Sequence, residues 1–351
     1  VTGAGAVGNL SSRNVQTLQP LASTEGLSLI PALGGAVVSN YLPLAQSQSS
    51  VSVTPRPITI APAAVTKTYD GTTTVSNGVA VVTGGGGILC SIMAEALAEC
   101  GAKVAILDLR KEAADKVADA IKAAGGTAMG VACNVLDRPS IEAAEAAVRS
   151  AFGPCDILIN GAGGNNPKGT TSNEQMSEAD LTNSNPDIKT FFDLDPKGIE
   201  FVFNLNFLGT LLPTQVFSHS MAKNKNGVII NISSMNAFKP LTKIPAYSAA
   251  KAAVSNFTQW LAVHMAPMGI RVNAIAPGFF LTDQNRALLT TPDGGLTPRS
   301  HKILTHTPMA KFGEPADLLG ALLWLTSDKA AGFVTGTVIP IDGGFSAYSG
   351  V

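Results

Sequence analysis

Three side chains in the second half of the chain have the types and the spacing that proton transfer requires. Tyr247 and Lys251 are four residues apart, so in a helix their side chains lie on one face. A free tyrosine has a pKa of about 10, but a neighbouring cation stabilises the phenolate and lowers that pKa. Ser234 follows the apolar run 227–233, which predicts a buried strand. A hydroxyl at the end of such a strand can hydrogen-bond a substrate carbonyl beside the phenol.

A glycine-rich turn indicates what this site works with. The apolar run 79–83 predicts a strand, Gly84–Gly87 follows directly, and a helix is predicted over 88–100. Such a turn lets the backbone approach a pyrophosphate and directs the positive helix end at its charge. A flexible loop is the alternative, but the order of strand, turn and helix favours a dinucleotide site. The turn also favours catalysis over an ordinary amphipathic helix with a half-buried Tyr247 and a solvated Lys251.

Asp108 indicates which dinucleotide is bound. It ends the predicted strand 103–107 and follows the glycine turn by about 20 residues, the usual distance in such sites. A carboxylate there accepts hydrogen bonds from the ribose hydroxyls and repels a 2′-phosphate. NAD is therefore favoured over NADP, although Arg110 nearby leaves NADP open.

The chain after residue 78 alternates helices and short apolar strands. We predict helices over 112–124, 141–152 and 201–216, and strands over 128–132, 155–159 and 271–276. This alternation predicts an α/β fold, a single doubly wound Rossmann-like domain with a mainly parallel sheet.

Together these residues resemble the short-chain dehydrogenase/reductase family over residues 79–351. Further motifs carry the resemblance in the same order: Asn134-Val135 stands where the family has Asp-Val, Asn160–Gly163 is similar to its Asn-Asn-Ala-Gly turn, and Asn206 and Pro277-Gly278 stand in segments similar to its own. The glycine turn departs from the family pattern, because Ile88 and Cys90 occupy two of its glycine positions. Gly87 then takes over the tight turn.

The resemblance implies hydride transfer between a nicotinamide and a substrate carbon. Tyr247 would exchange the proton of the substrate oxygen, and Ser234 would orient that oxygen. Lys251 would lower the phenol pKa and bind the ribose, and Asn206 would help hold a relay water, although on the residues alone Asn206 could be a buried polar side chain. The implied cofactor-binding residues are Gly84, Gly87, Ile88, Asp108, Asn134, Val135, Asn160, Gly161, Ala162, Tyr247, Lys251, Pro277, Gly278 and Thr282.

Two polar segments point to the substrate. The loop 164–173 follows a predicted strand end, and Asn165, Asn166 and Lys168 are candidates for contacting a polyhydroxy acid, although an ordinary solvated loop has the same composition. The insertion 283–312 has the length of a lid and carries Arg286 with other cations, which favours an anionic substrate.

The turn TGGGGIL, the loop GGNNPK and the segment SHKILTHTPM resemble the fructuronate reductase (D-mannonate oxidoreductase) branch of the family. This implies NADH-linked reduction of the C5 ketone of D-fructuronate, reversible from D-mannonate. A ketogluconate reductase or another polyol or sugar dehydrogenase is the alternative within the family.

Residues 1–78 do not match this pattern. We expect 1–53 to be a low-complexity, disordered segment and 54–78 to be an extended piece or linker. The stretch 67–75 resembles a YDG-type repeat of bacterial adhesins, so a surface adhesin fragment with an inactive Rossmann module is a function of another class. A single repeat cannot bury a sheet face. We therefore expect a dispensable appendage, from a fusion or an assembly artefact.

The composition bounds the other classes of function. The 351 residues are 45% hydrophobic and 14% charged with a net charge of −1, which gives no electrostatic case for nucleic acid or an anionic membrane. The four cysteines show no zinc spacing and favour reduced thiols of a cytoplasmic enzyme. No metal site and no membrane span are expected, and the family resemblance implies a homo-oligomer, a tetramer.

Overall fold

The computed structural model describes residues 16–20, 50–53, 78–182, 185–282, 289–292 and 294–350. The chain divides into two compact units, Val1–Thr66 and Lys67–Val351. In the first unit, strand β1 (Gln16–Pro20) pairs antiparallel with strand β2 (Ser50–Val53). The second unit contains the other described elements.

A parallel sheet of seven strands organises the second unit. Its strands are β3 (Val79–Thr83), β4 (Lys103–Asp108), β5 (Thr127–Ala132), β6 (Ile157–Asn160), β7 (Gly227–Ile232), β8 (Ile270–Pro277) and β9 (Val338–Ile341). They lie in the order β5-β4-β3-β6-β7-β8-β9. The central strands are aliphatic and buried, as strands covered on both faces must be. The predicted doubly wound α/β fold is confirmed.

Helices cover both faces of the sheet. They are α1 (Ile88–Glu99), α2 (Lys111–Ala123), α3 (Arg138–Phe152), α4 (Glu178–Leu181), α5 (Pro196–Phe203), α6 (Gly209–Asn224), α7 (Pro245–Met265), α8 (Pro298–Thr305), α9 (Leu319–Thr326) and α10 (Asp328–Ala331). Successive strand residues point to opposite faces. Val82 therefore packs in one core with α1, α2 and α9, whereas Val81 packs in the other with α3, α6 and α7.

The direction in which strands are added reverses at β3. The chain proceeds from β3 to β4 and β5 on one side, and it then places β6 on the other side of β3. Thr83 of β3 is in register with Asn160 of β6, so the carboxyl ends of these strands lie side by side. Doubly wound sheets bind ligands outside the carboxyl ends at such a point. The glycine turn and the segment 161–164 both begin there.

Two predicted elements differ from the structure. The predicted helix 201–216 consists of α5 and α6 joined by a π-helical segment, Asn204–Leu208, which leaves no mark in hydrophobic periodicity. In the predicted polar insertion 283–312, residues 298–305 form α8. The side chain of Thr297 caps this helix and a proline occupies its first position. These are standard signals of a helix start, and an interpretation based on composition overlooked them.

None of the helices in the described ranges has the length and apolar character needed to cross a membrane. Within the same ranges, no group of three or more His, Cys, Asp or Glu side chains is placed to hold a metal ion.

Candidate active site

The Thr83 hydroxyl joins the two strand ends where the sheet reverses. Its oxygen accepts the N–H groups of Gly161 (3.1 Å) and Ala162 (3.3 Å), and its proton is donated to the Ile159 carbonyl (3.4 Å). Gly84 opens the turn with φ +62°, and a Cβ there would lie 2.9 Å from the Ala162 Cα. The structure therefore brings together Gly84, Gly161 and Ala162, three of the predicted cofactor residues.

Helix α1 begins at this turn without a side chain to cap it. Gly87 is the N-cap residue and makes no side-chain hydrogen bond to the helix. The first N–H groups of a helix, here from Ile88 onward, have no acceptor within the helix. Unpaired N–H groups and the positive end of the helix dipole together bind anions. The uncapped helix start therefore suits a diphosphate, the role predicted for Gly87 and Ile88.

Asp108 reaches from the end of β4 to the same turn. Its Oδ2 accepts the Gly86 N–H (3.1 Å), and its Oδ1 accepts the backbone N–H of Arg110 (3.1 Å). A Cβ on Gly86 would lie 2.9 Å from Asp108 Oδ2 and 2.7 Å from the Ala113 Cβ, so only glycine leaves room for this contact. Each carboxylate oxygen keeps a lone pair that a ribose hydroxyl can use.

The other predicted cofactor residues lie at or after the carboxyl ends of further strands. Asn160 is the last residue of β6, Asn134 and Val135 follow β5, Pro277 ends β8, and Gly278 and Thr282 follow it. These strands are parallel, so their carboxyl ends meet at one edge of the sheet. The Gly278 N–H ties this edge to β9 by donating to the Ile341 carbonyl (2.9 Å).

Ser234, Tyr247 and Lys251 meet at the carboxyl end of β7. Ser234 is 7% exposed, and its Oγ accepts the Asn236 N–H (3.3 Å). Tyr247 lies in the first turn of α7, and the neighbouring Ser234 hydroxyl acts to lower the pKa of its phenol. The Lys251 Nζ is 5.7 Å from the centre of the Tyr247 ring and donates to the Ile232 carbonyl (2.7 Å). The hydroxyls of Ser234 and Tyr247 and the buried amine of Lys251 therefore lie close enough together to act on one substrate.

Burial shifts the pKa values of both Tyr247 and Lys251. It raises the pKa of the Tyr247 phenol above its ordinary value, and the neighbouring Ser234 hydroxyl acts in the opposite direction. Burial lowers the pKa of Lys251 to about 8, and the Cys90 thiol opposes that shift. The lowering of the phenol pKa by Lys251 stays a prediction. In this structure the Lys251 Nζ is directed at the Ile232 carbonyl, and removal of the phenol from water raises the pKa of Tyr247.

Asn206 is fully buried in the π-helical segment, where backbone groups hold its side chain. Its Nδ2 donates to the carbonyls of Gly164 (2.7 Å) and Val202 (2.8 Å), and its Oδ1 accepts the Gly164 N–H (3.3 Å). A Cβ on Gly163 would lie 2.6 Å from this Oδ1 and 3.2 Å from the Lys251 Nζ, so both groups border Gly163. Both amide protons are used and one lone pair remains. The side chain can therefore accept a hydrogen bond from a relay water but cannot donate one.

Cys90 is a site residue whose role the sequence analysis missed. A Cβ on Gly161 would lie 2.2 Å from the Cys90 Sγ, so the thiol fills the space that a side chain at position 161 would need. Burial raises the pKa of this thiol to about 11, which keeps it neutral beside Lys251. Both positions depart from the family pattern, and the two departures compensate each other. Their joint occurrence is the signal that could have revealed the contact.

The candidate substrate residues are engaged within their own loop. The Asn165 Nδ2 donates to Thr170 Oγ1 (3.2 Å), and Asn166 Oδ1 accepts the Lys168 N–H (2.9 Å). The Lys168 Nζ lies 3.6 Å from the Asp195 carboxylate, and its side chain is largely exposed. These contacts shape the loop and leave part of each polar group available.

This loop borders the predicted catalytic residues on two sides. Gly164 is bound to Asn206, as described above, and the Thr171 N–H donates to the carbonyl of Lys243, four residues before Tyr247 (2.9 Å). The fourth substrate candidate, Arg286, lies outside the described residues.

Comparisons with known proteins agree with this geometry. The family model described as short chain dehydrogenase matches residues 78–293. An uncharacterized oxidoreductase of Haemophilus influenzae is 58% identical over 277 residues, which cover 79% of this chain and 96% of that protein. An uncharacterized oxidoreductase of Bacillus subtilis is 55% identical over 272 residues, which cover 78% of this chain and 96% of that protein.

A solved structure is also similar. It is a crystal structure of a Haemophilus influenzae protein with bound NAD, provisionally described as a D-mannonate oxidoreductase. It has 57% sequence identity and a TM-score of 0.75, and the match covers 79% of this chain and 98% of that one. The resemblance of residues 54–78 to an adhesin repeat is not borne out by these comparisons, and residues 54–77 lie outside those described.

Proposed function

The chain belongs to the short-chain dehydrogenase family of oxidoreductases, and on that premise we propose that it interconverts the ketone of D-fructuronate and the alcohol of D-mannonate with NAD as cofactor. The observation that carries this proposal is the meeting of Ser234, Tyr247 and Lys251 at the sheet edge that also holds the glycine turn. The similarity to an NAD-bound structure provisionally described as a D-mannonate oxidoreductase supports the choice of cofactor and substrate.

The residues present suit a dinucleotide. The uncapped start of α1 offers N–H groups to a diphosphate, and the Asp108 carboxylate is held beside the same turn. A 2′-phosphate would bring further negative charge to Asp108, which supports NAD over NADP. When bound, NAD accepts or supplies the hydride at the substrate carbon.

The proton moves through the chain's own hydroxyl groups. In ketone reduction Tyr247 gives its proton to the substrate oxygen, and in alcohol oxidation it takes that proton back. The Ser234 Oγ accepts the Asn236 N–H, so its own proton is free to reach either the phenol or the substrate oxygen. Lys251 would contact the ribose, and the remaining lone pair of Asn206 would accept a hydrogen bond from the relay water.

A group of cations near the substrate loop supports an acidic substrate. The Lys302 ammonium of α8 forms an ion pair with Glu174 and lowers the pKa of that carboxyl, and Lys243 and Arg299 act in the same direction. Three cations from two separate segments therefore lower the pKa of one carboxyl, and Lys302 contacts it directly. We propose that the carboxylate of the sugar acid binds at the same group of cations.

We also propose a homo-tetramer located in the cytoplasm. An exposed aromatic face on α7 supports association, because Trp260 stacks between Phe257 and His264 and is 57% exposed. Exposed aromatic patches commonly mark protein interfaces.

The experiment measures NADH oxidation by the purified chain with D-fructuronate, a ketogluconate and the neutral ketose D-fructose, and it repeats the active pair with NADPH. We expect D-fructuronate with NADH to have the highest kcat/KM. Tyr247→Phe should lower kcat by about 10²–10⁴-fold, the usual contribution of a general acid, with NADH affinity retained. Preference for the ketogluconate would move the assignment to the rival substrate. Turnover of none of these compounds, or an active Tyr247→Phe variant, would refute the proposal.

A further inference from the structure

Strand β7 and helix α7 are joined by buried hydrogen bonds between side chains. The Asn231 Nδ2 donates to Thr258 Oγ1 (2.9 Å), and the hydroxyls of Ser233 and Ser255 are 2.7 Å apart. The Ser233 hydroxyl also lies 3.2 Å from the Lys251 carbonyl. Residues 231 and 233 share one face of the strand, and 251, 255 and 258 share one face of the helix. The bonds therefore form a polar seam along the contact between the two elements.

This seam continues into helix α6. The Asn160 Nδ2 donates to both Asn231 Oδ1 (2.9 Å) and Thr214 Oγ1 (2.8 Å). In α6, Thr214 Oγ1 donates to the Thr210 carbonyl (2.7 Å), and Thr210 Oγ1 donates to the Asn206 carbonyl (2.8 Å). A continuous series of hydrogen bonds thus links helix α6, strand β7 and helix α7. Asn206 lies in the π-helical segment directly before α6, Ser234 follows β7, and Tyr247 and Lys251 lie on α7.

Apart from bonds to backbone carbonyls such as that from Lys251 Nζ to Ile232, much of the remaining contact between sheet and helices is apolar and non-directional. Burial of aliphatic side chains such as Val272 and Leu261 stabilises the packing of helix on sheet. Because this effect is non-directional, it tolerates small displacements of the helix along its axis. A buried hydrogen bond is directional, and leaving one partner unsatisfied costs about 1–3 kcal/mol. A polar seam therefore defines one position of α7 along β7 more sharply than apolar packing does.

We propose that Asn231, Thr258, Ser233 and Ser255 are positioning residues that hold Tyr247 at its working distance from Ser234. Ser234 directly follows the seam residues of β7, and Tyr247 lies on the helix that the seam holds. None of the four contacts the reacting atoms. Since misplacement by about 1 Å can cost roughly 10²-fold in rate, a loosened seam should slow proton transfer. The catalytic part of this proposal depends on the proposed function.

The test uses Thr258→Val with Thr326→Val as a matched control. Both threonines are buried in helices, and both donate to the carbonyl four residues earlier, Val254 for Thr258 (2.8 Å) and Leu322 for Thr326 (2.9 Å). Only Thr258 also accepts from Asn231. We expect Thr258→Val to lower kcat at least about 10-fold with little change in the KM for NADH. Thr258→Ser should restore kcat, and Thr326→Val should lose a similar amount of thermal stability without losing kcat.

A second measurement does not depend on turnover. With tyrosine labelled at Cζ, the resonance of Tyr247 is identified as the one that Tyr247→Phe removes. It should shift in Thr258→Val and stay in place in Thr326→Val. Equal kcat values in the two valine variants together with an unshifted Tyr247 resonance would overturn the proposal. A shifted resonance in a protein that reduces no sugar acid would leave the positioning role in place and refute only the proposed substrate.

Discussion

Lys251 shows how burial alters a candidate catalytic group before any ligand binds. The side chain is 4% exposed, and among the described residues its ammonium donates one hydrogen bond, to the Ile232 carbonyl. An ammonium has three donors, so two remain for other partners. Desolvation penalises the charged form, which is why the pKa of Lys251 falls to about 8. The fold thus keeps a poorly solvated cation beside the phenol, ready to bind hydroxyl groups.

This residue gives a prediction about pH and stability. The folded-state pKa of Lys251 lies below the ordinary lysine value of 10.5, so the unfolded chain binds the proton more tightly. The free energy of unfolding therefore rises with pH from about pH 8, where the cost of the buried charge begins to be relieved. Lys251→Met should lack this rise. Relative to the variant, the wild type should gain about 1 kcal/mol between pH 8 and 9, measured by urea denaturation at each pH. Parallel curves for the two proteins would contradict the prediction.

At the scale of elements, the glycine turn does two tasks at once. Gly84 adopts a positive φ so that β3 can turn against Ala162, and Gly86 leaves space for Asp108 and for Ala113 of α2. The turn therefore joins β3, β4 and α2 as well as facing the cofactor. These two steric requirements explain why glycines occupy the turn after β3, although the formation of α1 does not itself require glycine.

A pair of substitutions tests the turn. Gly86→Ala places a Cβ 2.7 Å from the Ala113 Cβ and 2.9 Å from Asp108 Oδ2, so the turn must move. We expect it to lower NADH affinity by about 5- to 150-fold, since an overpacked site typically costs about 1–3 kcal/mol. Gly320→Ala is the control, because a Cβ there meets nothing within 4 Å, and we expect up to about 1 kcal/mol of added stability. Calorimetric titration with NADH measures the first effect and thermal unfolding the second. Unchanged NADH affinity in Gly86→Ala would contradict the steric argument.

At the scale of the whole molecule, the family match and the candidate site belong to the later part of the chain. The match begins at residue 78, and the described residues of the candidate site lie from Thr83 onward. The described members of the two core clusters likewise lie from Val79 onward. The organisation of residues 1–53 and 54–78 stays a prediction.

Removal of residues 1–76 tests that organisation. Because the described members of both core clusters all lie after residue 78, we expect the shortened chain to keep its melting temperature within about 2 °C and its kcat within about 2-fold, a difference too small to signal a lost core contact. The comparison with the full chain is made by calorimetry and by NADH oxidation under identical conditions. A fall of both quantities would show that the first segment contributes to the folded enzyme.

Much of the site follows from sequence because its parts are local. The strand, glycine turn and helix around Gly84 and the acidic residue Asp108 are contiguous signals, and the four-residue spacing of Tyr247 and Lys251 is a property of any helix. The order of these signals was also sufficient for the fold class, which the structure confirms.

Tertiary structure alone decided which groups are buried and what they face. The phenol pKa of Tyr247 is raised because its surroundings exclude water, and no spacing in the chain reports that exclusion. The bond from Asn206 to Gly164, the contact of Cys90 with Gly161 and the seam from Asn231 to Thr258 join residues that are distant in sequence. Local patterns determine which element forms, whereas desolvation and hydrogen-bond partners depend on how the elements pack.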